Sequence, residues 1–402
     1  MRKKIFQTMW MTVAFFMIFP LELLAEGPWE LALSFPSSDS DWTEVKRLWE
    51  NHYDGKNIDQ LIETLKRIEK READSLPIHL WLSQACYLKS RYQNKNRIEN
   101  LKKSESHAVK ALAVDPHSIT AMKLLITSVS SYADLDYIKK TYGAFFMEKL
   151  PVPVGRALPE IDSQEFKTAL ASWDQRERIE KGKEAVTLFK KIADDHSNNV
   201  LAQTWVARGD YYLGYFYISL GQDKRALPFF LEGDLYGRKA IALAPNDVPA
   251  NYWRQLNLAR SIQNANLLVK AAHMKPIMDH LVLTANENMT YFYCGPLIST
   301  ATIIEKGGWV AEKGLGLAGY AMDTVIGGLE LAVVAFPTYF YTHFARAEVF
   351  YHLGKKEEAK EILTRMIAMD PYANPWHAPE NICAQRLAQR FLEERFTSSL
   401  KE

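Results

Sequence analysis

The chain has 402 residues, 48% hydrophobic and 24% charged, a composition that excludes disorder as the main description and suffices for one extended core or two compact ones. Its 49 Lys and Arg stand against 48 Asp and Glu, a formal charge of +1, so no global basic field is present and no nucleic-acid partner is expected. Cys86, Cys294 and Cys383 form no C-x-x-C pair, which excludes a disulfide scaffold; one bridge with an odd thiol is one reading, three small buried side chains the favoured one.

Residues 1–25 read as a secretory signal peptide. Arg2, Lys3 and Lys4 precede a mostly apolar run from Met9 to Phe19, and Leu23-Leu24-Ala25 offers a cleavage site before Glu26. The run is short for a bilayer span, which needs about 20 apolar residues, and an uncleaved anchor is the alternative. No Cys stands at the end of the apolar run, so the bacterial lipoprotein acceptor is missing.

Beyond this leader helical periodicity dominates, with helices expected over Trp42–Tyr53, Asn57–Glu72, Leu80–Arg91, Ile98–Val114, Gly182–Asp194, Leu201–Leu220, Ala250–Leu267, Tyr339–Leu353 and Lys356–Met369, among others. Short polar or Gly/Pro turns between them favour antiparallel neighbours. Prolines at 151, 153 and 159 forbid a helix there, giving helical repeats over 26–150, a Pro-rich connector over 151–162 and further helical repeats over 163–402.

The repeat itself is degenerate. Helices end before Pro116, Pro245, Pro337 and Pro371, and the last two prolines lie 34 residues apart, the tetratricopeptide (TPR) period. Within that unit Ala347 and Phe350 fall where the first helix packs, Gly354 makes the turn, and Ala359 and Leu363 face inward. Gly221, Ala226 and Phe230 repeat the spacing with a lengthened second helix, and Ala185 and Phe189 mark another unit. Small residues admit close helix approach and large ones fill the neighbouring groove, so the expected fold is an all-α, tetratricopeptide-like solenoid of antiparallel helix pairs.

One stretch, 295–344, departs from ordinary solvated helices. Eight of the 19 glycines lie between Gly295 and Gly328, and Asp323 and Glu330 are the only formal charges between Gly314 and Phe344. It reads as core helices packed through glycine, with an apolar ligand channel or an interface in a homo-oligomer as alternatives. Aromatic side chains flank it, and Tyr291, Tyr293, Trp309, Tyr339 and Tyr341 are the candidate lining of such a channel.

Recognisable chemistry is sparse. Gly314-Leu315-Gly316-Leu317-Ala318-Gly319 spells G-x-G-x-x-G but lacks the preceding strand of a dinucleotide fold, so no cofactor is expected. His273 and His280 with Asp279 make an incomplete metal set, and no metal is expected. Asp194-Asp195-His196 ends a helix, and the charge runs Lys66–Glu72 and Arg176–Lys183 read as solvated helix faces. No catalytic residue is singled out.

Three segments resemble the TatT family, the TPR-like periplasmic T component of TRAP (tripartite ATP-independent periplasmic) transporters. They are Tyr291-Phe292-Tyr293-Cys294-Gly295-Pro296, the unit from Gly354 to Pro371, and the Asn-x-x-Ala-Gln-x-x-Ala pattern at Asn381, Ala384, Gln385 and Ala388. They cover about the last quarter of the chain, and the missing lipobox Cys departs from lipid-anchored members. The resemblance implies a non-catalytic periplasmic scaffold that binds a TRAP-type solute-binding protein and offers an apolar cavity to a small lipophilic ligand. The alternative is a general cell-envelope TPR adaptor holding a peptide or protein segment. A third reading is an exported enzyme built around Asp194, Asp195 or His196.

Overall fold

Helices begin where the sequence supplies a side-chain cap. In the computed structural model, which describes residues 33–36, 40–52, 55–93, 96–116, 118–149, 158–303 and 322–397, the side chains of Ser118, Ser163, Asn199, Asp247 and Asn266 each accept a hydrogen bond from the backbone N–H three residues on. Each such cap contributes about 1 kcal/mol to its helix. The signal segment, residues 151–157 of the connector, Trp309 and the 314–319 glycine motif lie outside the described residues.

The chain divides into two compact units. The amino-terminal unit spans 23–149 and 315–334; its helices are α1 (Ser40–Trp49), α2 (Gly55–Glu69), α3 (Leu76–Tyr92), α4 (Arg97–Val114), α5 (Ile119–Ser130) and α6 (Leu135–Lys149), joined by most of α14 (Met322–Ala335). The carboxy-terminal unit comprises 150–314 and 335–402. It holds α7 (Gln164–Trp173), α8 (Ile179–Asp195), α9 (Val200–Ser219), α10 (Asp223–Leu243), α11 (Val248–Ser261), α12 (Leu267–Asn288), α13 (291–303), α15 (Phe340–His352), α16 (Lys356–Ile367) and α17 (Ala378–Leu392). Among the described residues the architecture is all-α. No helix among them is long and apolar enough to cross a membrane.

Packing obeys repeat logic: successive helices pack on one another from α1 to α5, from α7 to α12 and from α15 to α17, and α3 meets α5 and α9 meets α11 in the next pair. This is the neighbour pattern of a tetratricopeptide-like solenoid of helix pairs. The repeat positions are buried as expected. Ala185, Phe189, Ala226, Phe230, Ala347, Ala359 and Leu363 are at most 2% exposed. Gly221 (φ +72°) and Gly354 (φ +81°) take the left-handed conformation that closes a helix, with the next amide bonding back to Tyr217 and Phe350 carbonyls at 2.9 Å. The lengthened helix is α10, 21 residues with Pro228 inside it.

One expected helix is divided. The run Ala250–Leu267 is two helices, because α11 stops at Ser261 and Asn266 caps a fresh helix at Leu267. The three cysteines are free and buried.

The carboxy-terminal unit closes on itself through α17, which packs against α9, α15 and α16. Asn381 accepts from the Phe340 N–H at 3.0 Å and donates to Thr338 and Pro371 carbonyls, while Gln385 donates to the carbonyls of Met366, Ile367 and Met369. Ala384 and Ala388 are fully buried. The Asn-x-x-Ala-Gln-x-x-Ala pattern therefore ties α17 to the ends of two neighbouring helices.

Candidate functional site

Helix α9 is apolar or aromatic around most of its circumference, and its only charges are Arg208 and Asp210. A helix of that kind is buried on all sides, so whatever polar groups it carries enter the interior. Arg208 is 1% exposed. Its Cζ lies 5.2 Å from the Trp205 ring centroid, 5.4 Å from that of Trp173, and 5.5 Å from those of Trp253 and Phe292. Neither Nη of Arg208 has a hydrogen-bond partner.

The neighbouring cation is paired. Arg176 donates from Nε to Glu380 Oε1 at 3.2 Å and from Nη2 to Oε2 at 2.7 Å, and its remaining donors reach the carbonyls of Trp173 and Trp376. The run Arg176–Lys183 is therefore not wholly a solvated face, since Arg176 is buried by its contact with α17. Burial works to raise the Glu380 carboxyl, but the Arg176 charge overcomes it and holds the group below its ordinary value. Burial, helped by the Arg176 charge, presses Arg208 down to about 10, still protonated at neutral pH. His377, fully buried with no hydrogen bond to either ring nitrogen and its Nδ1 3.8 Å from Glu380 Oε2, is pushed down to about 3 by burial and is neutral. Two guanidinium groups thus face one carboxylate, and one positive charge is left without a counterion in an aromatic enclosure.

That enclosure adjoins an apolar cavity. A small cavity touching Arg208, Trp173, Trp253 and Glu380 shares Tyr211, Phe292, Tyr339 and Tyr341 with a larger one of about 160 Å³. The larger one is walled by Tyr252, Leu256, Met274, Ile277, Ile298 and Ile303, with Gln255, Arg260, Gln263, Lys270, Ser299 and Thr302 among its polar residues. Arg260 donates to the Tyr341 hydroxyl at 2.8 Å.

The turn that aims these rings is strained. Phe292, Tyr293 and Cys294 all have left-handed φ (45°, 61° and 61°), each costing about 1–2 kcal/mol for a residue with a Cβ. Gly295 comes next because a Cβ there would sit 2.3 Å from the Tyr252 hydroxyl. The conformation carries Phe292 onto Arg208 and stacks Tyr293 on Tyr339, centroids 4.2 Å apart at 11°. Strain of this kind persists where surroundings over-determine it, and it clusters at ligand clamps.

Of the sequence-predicted lining residues, Tyr339 and Tyr341 line both cavities. Tyr291 packs on Tyr252 and Phe292, its hydroxyl accepting from Trp253 Nε1 at 3.2 Å, and Tyr293 is buried with its hydroxyl accepting from Asn374. Arg176, Arg208, His377 and Glu380 carry no mark that sequence reasoning singles out. A lone Arg in an otherwise apolar and aromatic helix is the available signal for Arg208; nothing local marks a pairing across 204 residues. His273 and His280 do not meet in a metal site: His280 Nδ1 contacts Asn251 Oδ1 at 2.7 Å and its Nε2 Arg254, while His273 contacts the Val269 carbonyl.

Arg208 in its aromatic box can attract and hold an anion, and low polarity around it strengthens any charge-assisted hydrogen bond it makes. Activated nucleophiles are not what the enclosure provides: burial pushes the Cys383 thiol and the Tyr211 hydroxyl up to about 12, so both stay protonated.

No protein-family model matches this chain, and no curated protein matches it. Among solved structures it is similar to the crystal structure of the yeast Tom70, with 12% identity over 90% of this chain and 98% of that one, at a TM-score of 0.17.

Proposed function

We propose that this protein is a non-catalytic helical-repeat scaffold whose carboxy-terminal unit holds a small amphipathic organic anion, its apolar part in the Tyr252–Ile303 cavity and its charge on Arg208. The observation that carries this reading is the uncompensated guanidinium of Arg208, fully enclosed yet adjoining an apolar cavity. Buried cations otherwise come paired, because an isolated one opposes folding strongly. The signal-like residues 1–25 and the three TatT-like segments support a periplasmic setting beside a TRAP-type solute-binding protein, which would be the protein partner.

Native mass spectrometry of the purified chain, before and after mild organic extraction, is the direct test. A bound acid of a few hundred daltons lost on extraction is expected. A titration monitored by tryptophan fluorescence then compares octanoate with octanol and octylamine, since Trp173, Trp205 and Trp253 surround the charge. Preference for octanoate supports the reading; equal binding of all three, or of none, sinks it. Co-purification with a solute-binding protein encoded nearby tests the transport setting separately.

A further inference from the structure

In the amino-terminal unit three side chains from three helices converge on one point. Glu69 ends α2, His79 lies in the first turn of α3, and His107 lies on α4. Glu69 Oε1 is 3.7 Å from His79 Nδ1 and 3.6 Å from His107 Nδ1, and the three ligand atoms all lie within 4.8 Å of one another. The charge run Lys66–Glu72 is thus not uniformly solvated, because Glu69 turns inward between two imidazoles.

The two Nδ1 atoms and one carboxylate oxygen are turned toward one another. His79 Nε2 contacts the Ala73 carbonyl at 2.8 Å; a carbonyl only accepts, so Nε2 donates there and Nδ1 is the nitrogen turned toward Glu69. That Nδ1 belongs to a residue only 3% exposed and has no hydrogen-bond partner, and neither has Nδ1 of His107. Lys110 Nζ donates to the same Oε1 at 2.9 Å from a side chain half exposed to solvent.

We propose that Glu69, His79 and His107 form a binding site for a divalent transition-metal ion of the Zn²⁺ kind, clamping α2, α3 and α4 together. With bonds of about 2.0–2.1 Å, a tetrahedral zinc holds its ligand atoms roughly 3.3 Å apart, so each histidine need move only a few tenths of an ångström relative to Glu69. Two imidazole nitrogens and one carboxylate suit zinc and its neighbours rather than calcium or magnesium. The Ala73 carbonyl on His79 Nε2 is the outer contact that fixes the tautomer and orients the ring. Lys110 occupies the carboxylate in the metal's absence and swings into solvent when the ion enters, so it competes with binding.

The test uses the full chain without a histidine tag, stripped with chelator and titrated with Zn²⁺ by calorimetry and with Co²⁺ by visible absorption. One equivalent is expected, with the intense absorption of low-coordinate cobalt and a raised Tm. His107→Gln, the less buried histidine, should weaken binding at least about 100-fold, as should Glu69→Gln, while Lys110→Ala tightens it. Circular dichroism of the variants separates lost binding from lost folding. If neither the native chain nor Lys110→Ala takes up one equivalent below about 100 μM, the site is a proton-sharing cluster and the proposal fails; it fails equally if His107→Gln and Glu69→Gln, folded, bind as tightly as the native chain.

Discussion

Arg208→Met isolates the charge that the candidate site is built around. At pH 7 Arg208 is protonated folded and unfolded, so a pKa pressed from 12.5 to about 10 is a penalty borne wholly by the folded state, about 3 kcal/mol. Four rings with centroids 5.2–5.5 Å from Cζ offset it. At roughly 0.5–1 kcal/mol each, they return about 2–4 kcal/mol. The two terms nearly cancel, so removing the charge should change stability by less than about 2 kcal/mol in either direction. Breaking a paired buried ion would cost about 3–5 kcal/mol. Urea denaturation monitored by tryptophan fluorescence measures the difference, provided the slope with denaturant is unchanged. The same variant should lose octanoate at least about thirtyfold, the lower end expected for deleting one partner of a desolvated charge pair. A stability loss above about 3 kcal/mol with octanoate binding intact would make Arg208 a structural cation and refute the reasoning.

Glu380 has a folded pKa held below its value of 4.5, so its contribution is complete above that value and is lost as pH falls through the folded one. Stability of the carboxy-terminal unit should therefore drop below about pH 4.5, and Glu380→Gln should flatten that limb in acid titrations monitored by circular dichroism. Asp210 has the opposite sign: burial raises it from 3.8 to about 7, so stability falls as pH rises between those values. Asp210→Asn should raise the urea midpoint at pH 8 by an amount corresponding to about 1–3 kcal/mol, with Lys190 keeping its 2.6 Å contact to Glu232. Gly354→Ala meets nothing within 4 Å and should cost only the left-handed backbone, about 1–2 kcal/mol in a urea titration. Gly327→Ala would put a Cβ 2.1 Å from the Ser130 carbonyl, pushing α14 off α5, and should cost at least about 2 kcal/mol by the same measurement.

Much of the helical frame is legible in the sequence because it depends on local rules. Asn199, Asp247 and Asn266 each cap only the helix that starts at the next residue, Gly221 and Gly354 can take a φ that other residues resist, and period-four patterning chooses which face is buried. Even so, the stop after Ser261 is hidden from a reading by periodicity, since the apolar pattern continues through Ile262 while the Asn266 cap acts on the next helix. Among the aromatics, Tyr339 and Tyr341 are recognisable as lining because they bracket an apolar stretch.

By itself, then, the sequence determined an all-α chain of helix pairs, the turns that separate them and the small residues at their contacts, each set by interactions reaching no further than a helical turn or two. Tertiary structure alone decided which charges lose water: Arg176 reads as one member of a solvated run until α17 brings Glu380 to it, and Glu69 until α3 and α4 bring two histidines. It also assigned 322–334 to the amino-terminal unit although the described residues on either side belong to the other. The physical reason is the same in each case. Desolvation and charge pairing depend on what other segments deliver to a point in space, and no spacing along one segment encodes that delivery.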